Sequence, residues 1–122
     1  MQTETFHTIS RYFDENIQAE KDAEARLLSD QRLDEAVFAR IRGNVYGIFS
    51  AVFYAAVKSA KDPFRFFQQK LMDIPSSWQT ALQQADVRGS WEAAHIERIK
   101  LETAEKIQSD IQKLWEENHD GK

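Results

Sequence analysis

The chain has 122 residues, four glycines, two prolines, no cysteine and a formal net charge of −4. This length favours a single domain spanning residues 1–122 with one core, and the scarcity of glycine and proline disfavours a turn-rich β fold. The absence of cysteine excludes disulfide scaffolds and thiolate chemistry, and it favours a cytoplasmic location. The charged N-terminal segment lacks a continuous apolar region, so no cleaved leader is expected.

The apolar spacing predicts five helices. The first begins near Thr3 or Thr5, where a hydroxyl can cap an exposed backbone N–H. Its segment QAEKDAEAR, residues 18–26, has high helix propensity but offers only alanines for burial, so it is expected to be solvated. The second helix is predicted from about Gln31 to Ala60, after an N-cap at Ser29 or Asp30.

Two short helices follow. Asp62 is a good N-cap and Pro63 is tolerated at the first helical position, so the third helix is predicted to begin there. It ends before Pro75, because proline disfavours helical dihedrals in the residue that precedes it. Ser76 with Gln79 has the spacing of a capping box and predicts the start of the fourth helix.

The glycine at position 89 predicts the end of the fourth helix, and a regular amphipathic pattern predicts the last helix from Trp91 to about Asn118. The first, second and last helices have similar lengths, which the two short helices match when taken together. The sequence therefore predicts an all-α fold: an antiparallel up-down four-helix bundle whose third rod is broken at Pro75.

The second helix carries a ladder of small residues. At helical spacing these residues form one stripe, along which another helix can approach closely. The second half of this helix is also free of charge from Gly43 to Val57. The stripe consists of Ala39, Gly43, Gly47, Ala51 and Ala55.

The stripe has two possible uses. If the chain folds back about Lys61, Ile74 and Trp78 fill the space beside the glycines and form a seam inside the monomer. Alternatively, two copies of the second helix cross closely and form a homodimer. The dimer hypothesis assigns the interface to Gly43, Gly47, Ala51 and Tyr54, with Phe66 as an outlying contact.

A pocket near the break at Pro75 is the alternative from another functional class. An aromatic wall, an amide and a guanidinium would suit a small anionic or planar ligand, or a catalytic site. The residues assigned to this pocket are Arg40, Asn44, Tyr54 and Trp78. The competing interpretation is that the aromatic residues belong to the core and that Arg40 is solvated.

Each of the three histidines has a glutamate three residues earlier. Such pairs bind dinuclear metal centres when they face inward from two helices of a bundle. Here two of the pairs lie near chain ends, and solvated histidines are the simpler explanation, so no metal or other cofactor is predicted. The pairs are Glu4 with His7, Glu92 with His95, and Glu116 with His119.

Catalytic and nucleic-acid signatures are weak. The chain has no cysteine nucleophile, glycine-rich phosphate loop or serine elbow. The two short helices superficially match a helix-turn-helix, but the start of the second, SSWQT, has no cation, and the chain is acidic. The basic segment from Ala36 to Met72 is expected to be neutralised by acidic helices beside it. The apolar run of the second helix is shorter than the roughly 20 residues that a membrane span needs.

These observations predict a non-enzymatic interaction or accessory module that acts as a homodimer, with another protein as a further partner. The alternatives are a ligand-binding or enzymatic bundle with a pocket at Pro75, and a helix-turn-helix-like regulator. A helical bundle by itself implies no activity.

Overall fold

A computed structural model describes residues 1–119, all helical apart from short termini and turns, and has no strand within that range. The predicted all-α fold is confirmed. The five helices are α1 (Thr3–Ser29), α2 (Leu33–Ser59), α3 (Pro63–Asp73), α4 (Pro75–Arg88) and α5 (Trp91–His119).

The helices form an antiparallel bundle of four rods. α1 packs along α2, α2 packs on α3, and α5 contacts the other four helices. α3 and α4 together make the third rod, bent where they meet, as the sequence predicts. α1 and α4 end, and α2 and α5 begin, at the same end of the bundle. The α1–α2 and α4–α5 turns therefore both lie there, and we call this end the hairpin end.

The core is aromatic at the opposite end of the bundle. Phe13, Phe53 and Phe67 come from α1, α2 and α3 and are fully buried. Their ring centroids lie 5.4 to 6.2 Å apart, which is within the range of favourable aromatic pairs. Ile107 and Ile111 of α5 complete this cluster. Burial of each such side chain contributes about 1.5–3 kcal/mol, so this cluster is a major source of stability.

Towards the hairpin end, the buried residues are small. Ala36 and Ala39 of α2, Ala85 of α4 and Ala94 of α5 are all almost completely buried. α1 contributes no fully buried side chain after Phe13. The solvated second half of α1 that the sequence predicts is therefore confirmed, since residues 18–26 are half-buried or exposed.

The break between α3 and α4 has a specific hydrogen-bond pattern. Pro75 has no N–H and cannot donate to the Leu71 carbonyl four residues earlier. That carbonyl instead accepts a 2.7 Å hydrogen bond from Nε2 of Gln108 on α5. The predicted capping box at Ser76 is wrong, because α4 already begins at Pro75 and Ser76 Oγ donates to the Asp73 carbonyl.

The predicted start of the first helix at Thr3 and the predicted helix boundaries at Asp62 and Gly89 are confirmed, whereas the predicted side-chain caps of α1 and α2 are wrong. The Asp62 side chain caps α3 by accepting from the Arg65 N–H, and Gly89 ends α4 with a φ of 73°. α1 and α2 have no side-chain cap. Asp30 does not cap α2 because it is the C-cap of α1, with its N–H donating to the Arg26 carbonyl, and the N-cap position of α2 is Arg32. Within the described residues, no helix is long and apolar enough to span a membrane.

Candidate functional site: the α1–α2 groove and the outer face of α2

A groove of about 560 Å³ runs between α1 and α2. Ile17 of α1 and Ile48 of α2 are its large apolar lining residues, and the rest of its lining is small or polar. α2 contributes a floor of Ala39, Gly43 and Gly47, while α1 contributes Glu20 and other polar residues of its solvated half.

The two glycines of the floor have different surroundings. A Cβ atom added at Gly43 would lie 3.3 Å from the Cβ of Glu20, whereas a Cβ at Gly47 would meet no atom within 4 Å. Gly43 therefore allows α1 to approach α2 closely, and Gly47 faces open space. The small-residue stripe is divided between a contact inside the monomer and an open surface.

Two ion pairs cross from α2 to α1 beside the groove. Arg40 Nε donates to Glu24 at 2.7 Å, and Arg42 Nε donates to both carboxylate oxygens of Glu20 at 3.1 and 3.2 Å. These contacts support the expectation that acidic helices neutralise the basic middle segment. Partly exposed pairs of this kind stabilise a fold by about 1 kcal/mol at most, so they do not explain why the groove is open.

The outer face of α2 adjoins the groove and carries no charge. We use this name for Asn44, Ile48, Ala51 and Ala55, which are all exposed. The Ile48 side chain is 41% exposed and also lines the groove. By contrast, the exposed positions of α1 and α5 are rich in charged residues. The outer face of α2 is thus an uncharged strip with one exposed branched side chain.

The five residues of the predicted interface do not all lie on one surface. Ala51 lies on the outer face of α2, while Gly43 and Gly47 line the groove beside it. Tyr54 is 40% exposed, and its hydroxyl is hydrogen-bonded to Ser10 of α1. The fifth residue, Phe66, lies on α3 with the ammonium group of Lys70 5.4 Å from its ring centroid. Three of the five residues therefore lie on or beside one surface.

The predicted pocket near Pro75 is not formed by its four assigned residues. Arg40 and Asn44 line the α1–α2 groove, but Tyr54 is ten residues beyond Asn44, which is about 15 Å along a helix. Trp78 lies elsewhere, with its ring centroid 6.2 Å from that of Phe49. The proposed internal seam is wrong for a related reason: Gly43 faces Glu20 of α1, so Ile74 and Trp78 do not fill the space beside it.

The histidines form no metal cluster in the part of the chain that the structure describes, where no group of three His, Asp or Glu residues could hold an ion. His7 packs against Phe6, and the ring of His95 lies 4.8 Å from that of Phe38. The side chain of His119 lies outside the described residues.

A polar cluster joins α1, α2 and α5 and was not anticipated from the sequence. The Tyr12 hydroxyl donates to Asp110 at 2.7 Å, and the Lys106 ammonium donates to the same oxygen at 2.6 Å. The buried Tyr46 lies against this group, with its ring centroid 6.1 Å from that of Tyr12. Because Tyr12 and Asp110 are 98 positions apart, helical periodicity offers no signal for the contact.

Three side chains of this cluster have pKa values above their usual ones. Burial, followed by the hydrogen bond to Asp110, raises the pKa of Tyr12 far above its usual value. Burial also raises the pKa of Tyr46, and the hydrogen bond to Asp110 raises the pKa of Lys106. Both tyrosines are thus held in the neutral form, which does not suit them to act as a general base near neutral pH.

Comparison with known proteins gives no match: no family model, curated protein or solved structure matches this chain.

Proposed function

We propose that this protein is a non-enzymatic interaction module that acts as a homodimer, and that two copies meet through the outer face of α2. The observation that carries the proposal is the exposed, uncharged strip of Asn44, Ile48, Ala51 and Ala55, which contrasts with the charge-rich exposed positions of α1 and α5. Residues without charge lose little hydration free energy when a second surface covers them.

The neighbouring groove makes this surface suitable for a twofold contact. In such a dimer each copy uses the same patch, so a ridge must lie beside a complementary depression. Ile48 forms the ridge, and the groove floor at Gly47 has open space for an incoming side chain. We expect Ile48 of each copy to enter the groove of the other. The small residues allow the two α2 helices to cross closely.

Ala51 offers a direct test, because it is exposed and lies at the middle of the strip. In sedimentation equilibrium, we expect wild-type protein to dimerise and Ala51→Glu to raise the dimer dissociation constant by more than about tenfold. The reason is that an unpaired carboxylate would be buried in the contact. Ala19→Glu is the matched control, since Ala19 is also an exposed helical alanine but lies on α1. A wild-type monomer, or an Ala51→Glu dimer of undiminished affinity, would refute the proposal.

Small-ligand binding in the α1–α2 groove is a second candidate function. It is favoured by the groove volume of about 560 Å³ and by the Arg40 guanidinium and the Asn44 amide in its lining, because such polar groups can fix the orientation of a bound ligand. A native mass spectrum separates the two candidates: a bare dimer supports the interaction module, and a monomer with a bound small molecule supports the ligand site.

A cytoplasmic location forms part of the proposal, supported by the absence of cysteine. Nucleic-acid binding has little support. A helix-turn-helix joins its helices by a turn of three or four residues, whereas α3 and α4 are joined by Ile74 alone, which itself has helical dihedrals.

A further inference from the structure

A second concave site, which we call the hairpin-end recess, lies where α2 and α5 begin. Its volume is about 270 Å³. Phe38, Trp91 and His95 supply aromatic lining, with the Phe38 and His95 rings packed edge to face at a centroid distance of 4.8 Å. Trp91 is 76% exposed, so most of its indole surface is available to a ligand.

The recess is acidic as well as aromatic. Its lining includes Asp34 and Glu92 but no lysine or arginine. Of the arginines at this end of the bundle, Arg32 and Arg98 pair with Glu35 and Asp86 respectively, and Arg88 lies at the end of α4 outside the lining. The N-termini of α2 and α5 contribute about half a positive charge each, whereas the carboxylates of Asp34 and Glu92 contribute one full negative charge each. The electrostatic balance at the recess therefore favours a cation.

Exposed apolar residues also lie at this end of the bundle. Leu33 and Val87 are 61% and 88% exposed; in the sequence, Leu33 precedes Asp34 and Val87 lies four residues before Trp91. Exposed aliphatic side chains around an acidic aromatic recess suit a partner segment that carries one cationic residue among apolar neighbours.

We propose that the hairpin-end recess binds an arginine side chain of a partner protein. The planar guanidinium stacks on the indole of Trp91 and pairs with the carboxylates of Asp34 and Glu92, while the partner's apolar neighbours cover Leu33 and Val87. Arginine suits this site better than lysine, because its flat delocalised cation can stack on an aromatic ring and bind a carboxylate through two hydrogen bonds at once. Tryptophan is also the aromatic residue that attracts cations most strongly.

The test uses a synthetic peptide, acetyl-Ala-Leu-Arg-Leu-Ala-amide, added to isotopically labelled full-length protein and followed by NMR. We expect saturable shifts of the Trp91 indole N–H and of backbone amides around Asp34 and Glu92. The control peptide has citrulline in place of arginine, which preserves the shape of the side chain and removes its charge. The citrulline peptide should bind roughly tenfold more weakly.

Two sets of variants link the binding to the recess. Trp91→Ser and the double variant Asp34→Asn with Glu92→Gln should each weaken arginine-peptide binding roughly fivefold or more. The double variant Asp14→Asn with Glu15→Gln removes two exposed carboxylates on α1 and should leave the binding unchanged. Circular dichroism before each titration establishes that the variants are folded, and the carboxylate variant keeps the test decisive if Trp91→Ser is unstable.

Several results would overturn this assignment. They are the absence of saturable shifts, equal binding of the citrulline peptide, or equal binding by the carboxylate variant and its α1 control. Equal affinity for a lysine version of the peptide would overturn the selectivity for arginine. None of these results depends on whether the protein dimerises through α2.

Discussion

Gly43 and Gly47 lie one helical turn apart on α2 but have different structural roles. Glycine in a helix interior is less stable than alanine by about 0.5–1 kcal/mol. Since a Cβ at Gly47 meets open space, we expect Gly47→Ala to increase the free energy of unfolding by about that amount. At Gly43 the added Cβ would lie 3.3 Å from Glu20, so Gly43→Ala should gain less stability or lose some.

Urea unfolding of both glycine variants measures this difference. The experiment is best done in the Ala51→Glu background, where the proposed dimer is removed and only the monomer fold contributes. Equal stabilisation by the two substitutions would contradict the close α1–α2 approach at Gly43.

Tyr12 gives a prediction about alkaline pH. Its pKa is raised in the folded protein, first by burial and then by the hydrogen bond to Asp110. Above about pH 10 the unfolded chain loses this proton while the native state keeps it, so the free energy of unfolding falls as the pH rises. The contribution of one such group approaches about 1.4 kcal/mol per pH unit. Tyr12→Phe should therefore give a shallower decline above pH 10, measured by urea unfolding at several pH values.

Tyr12→Phe also removes one hydrogen bond and so lowers stability slightly at pH 7, where Lys106 still pairs with Asp110. The informative quantity is therefore the slope with pH and not the stability itself. Identical slopes for the two proteins would show that Tyr12 titrates with similar affinity in the folded and unfolded states.

At the scale of elements, the break between α3 and α4 depends on a hydrogen bond from α5. Gln108 Nε2 donates to the Leu71 carbonyl that Pro75 leaves without its helical partner. Gln108→Met preserves side-chain size and removes the donor, so we expect a loss of about 1–3 kcal/mol in the free energy of unfolding. Pro75→Ala restores an N–H four residues after Leu71 and should reduce that loss.

A double-mutant cycle over Gln108→Met and Pro75→Ala isolates this coupling. Gln112→Met on the same helix is the control, because the exposed Gln112 side chain bonds to the surface residues Gln68 and Glu116. Its effect should stay within about 0.5 kcal/mol. Strict additivity of the two substitutions would mean that the Gln108 bond does not replace the missing helical bond.

The same elements show what sequence patterns can predict. The starts and ends at Asp62, Pro75 and Gly89 are fixed by local backbone chemistry, namely a side-chain acceptor, a missing N–H and a positive φ. The α2 N-cap was wrong because Asp30 closes α1, and Gln31 takes a φ of 61° in the turn. Local residue preferences do not determine how two adjacent helices share such a short turn.

At the scale of the whole molecule, helix periodicity predicts the number of rods but not which faces meet. Folding the chain back about Lys61 places the α2 glycines beside Trp78, whereas in the structure both glycines line the groove between α1 and α2. A helix that is apolar nearly all round has no single preferred partner face. Arg40 and Asn44, which the sequence predicts in one pocket, both line the groove, whereas Tyr54 and Trp78 do not. The Tyr12–Asp110 contact links opposite ends of the sequence and emerges only in three dimensions.

In the proposed homodimer, two copies of this chain meet through the outer face of α2, with Ala51 near the crossing point. The chain has no cysteine, so single cysteines can be placed at positions 51 and 19 without further changes. Cysteine is close to alanine in size, and two closely crossing helices bring the two copies of residue 51 within the Cα separation of about 4–7 Å that a disulfide spans. Under mild oxidation, Ala51→Cys should therefore form an intermolecular disulfide dimer on a non-reducing gel, whereas Ala19→Cys on α1 should stay monomeric. Absence of the cross-link at position 51, or faster cross-linking at position 19, would contradict this contact.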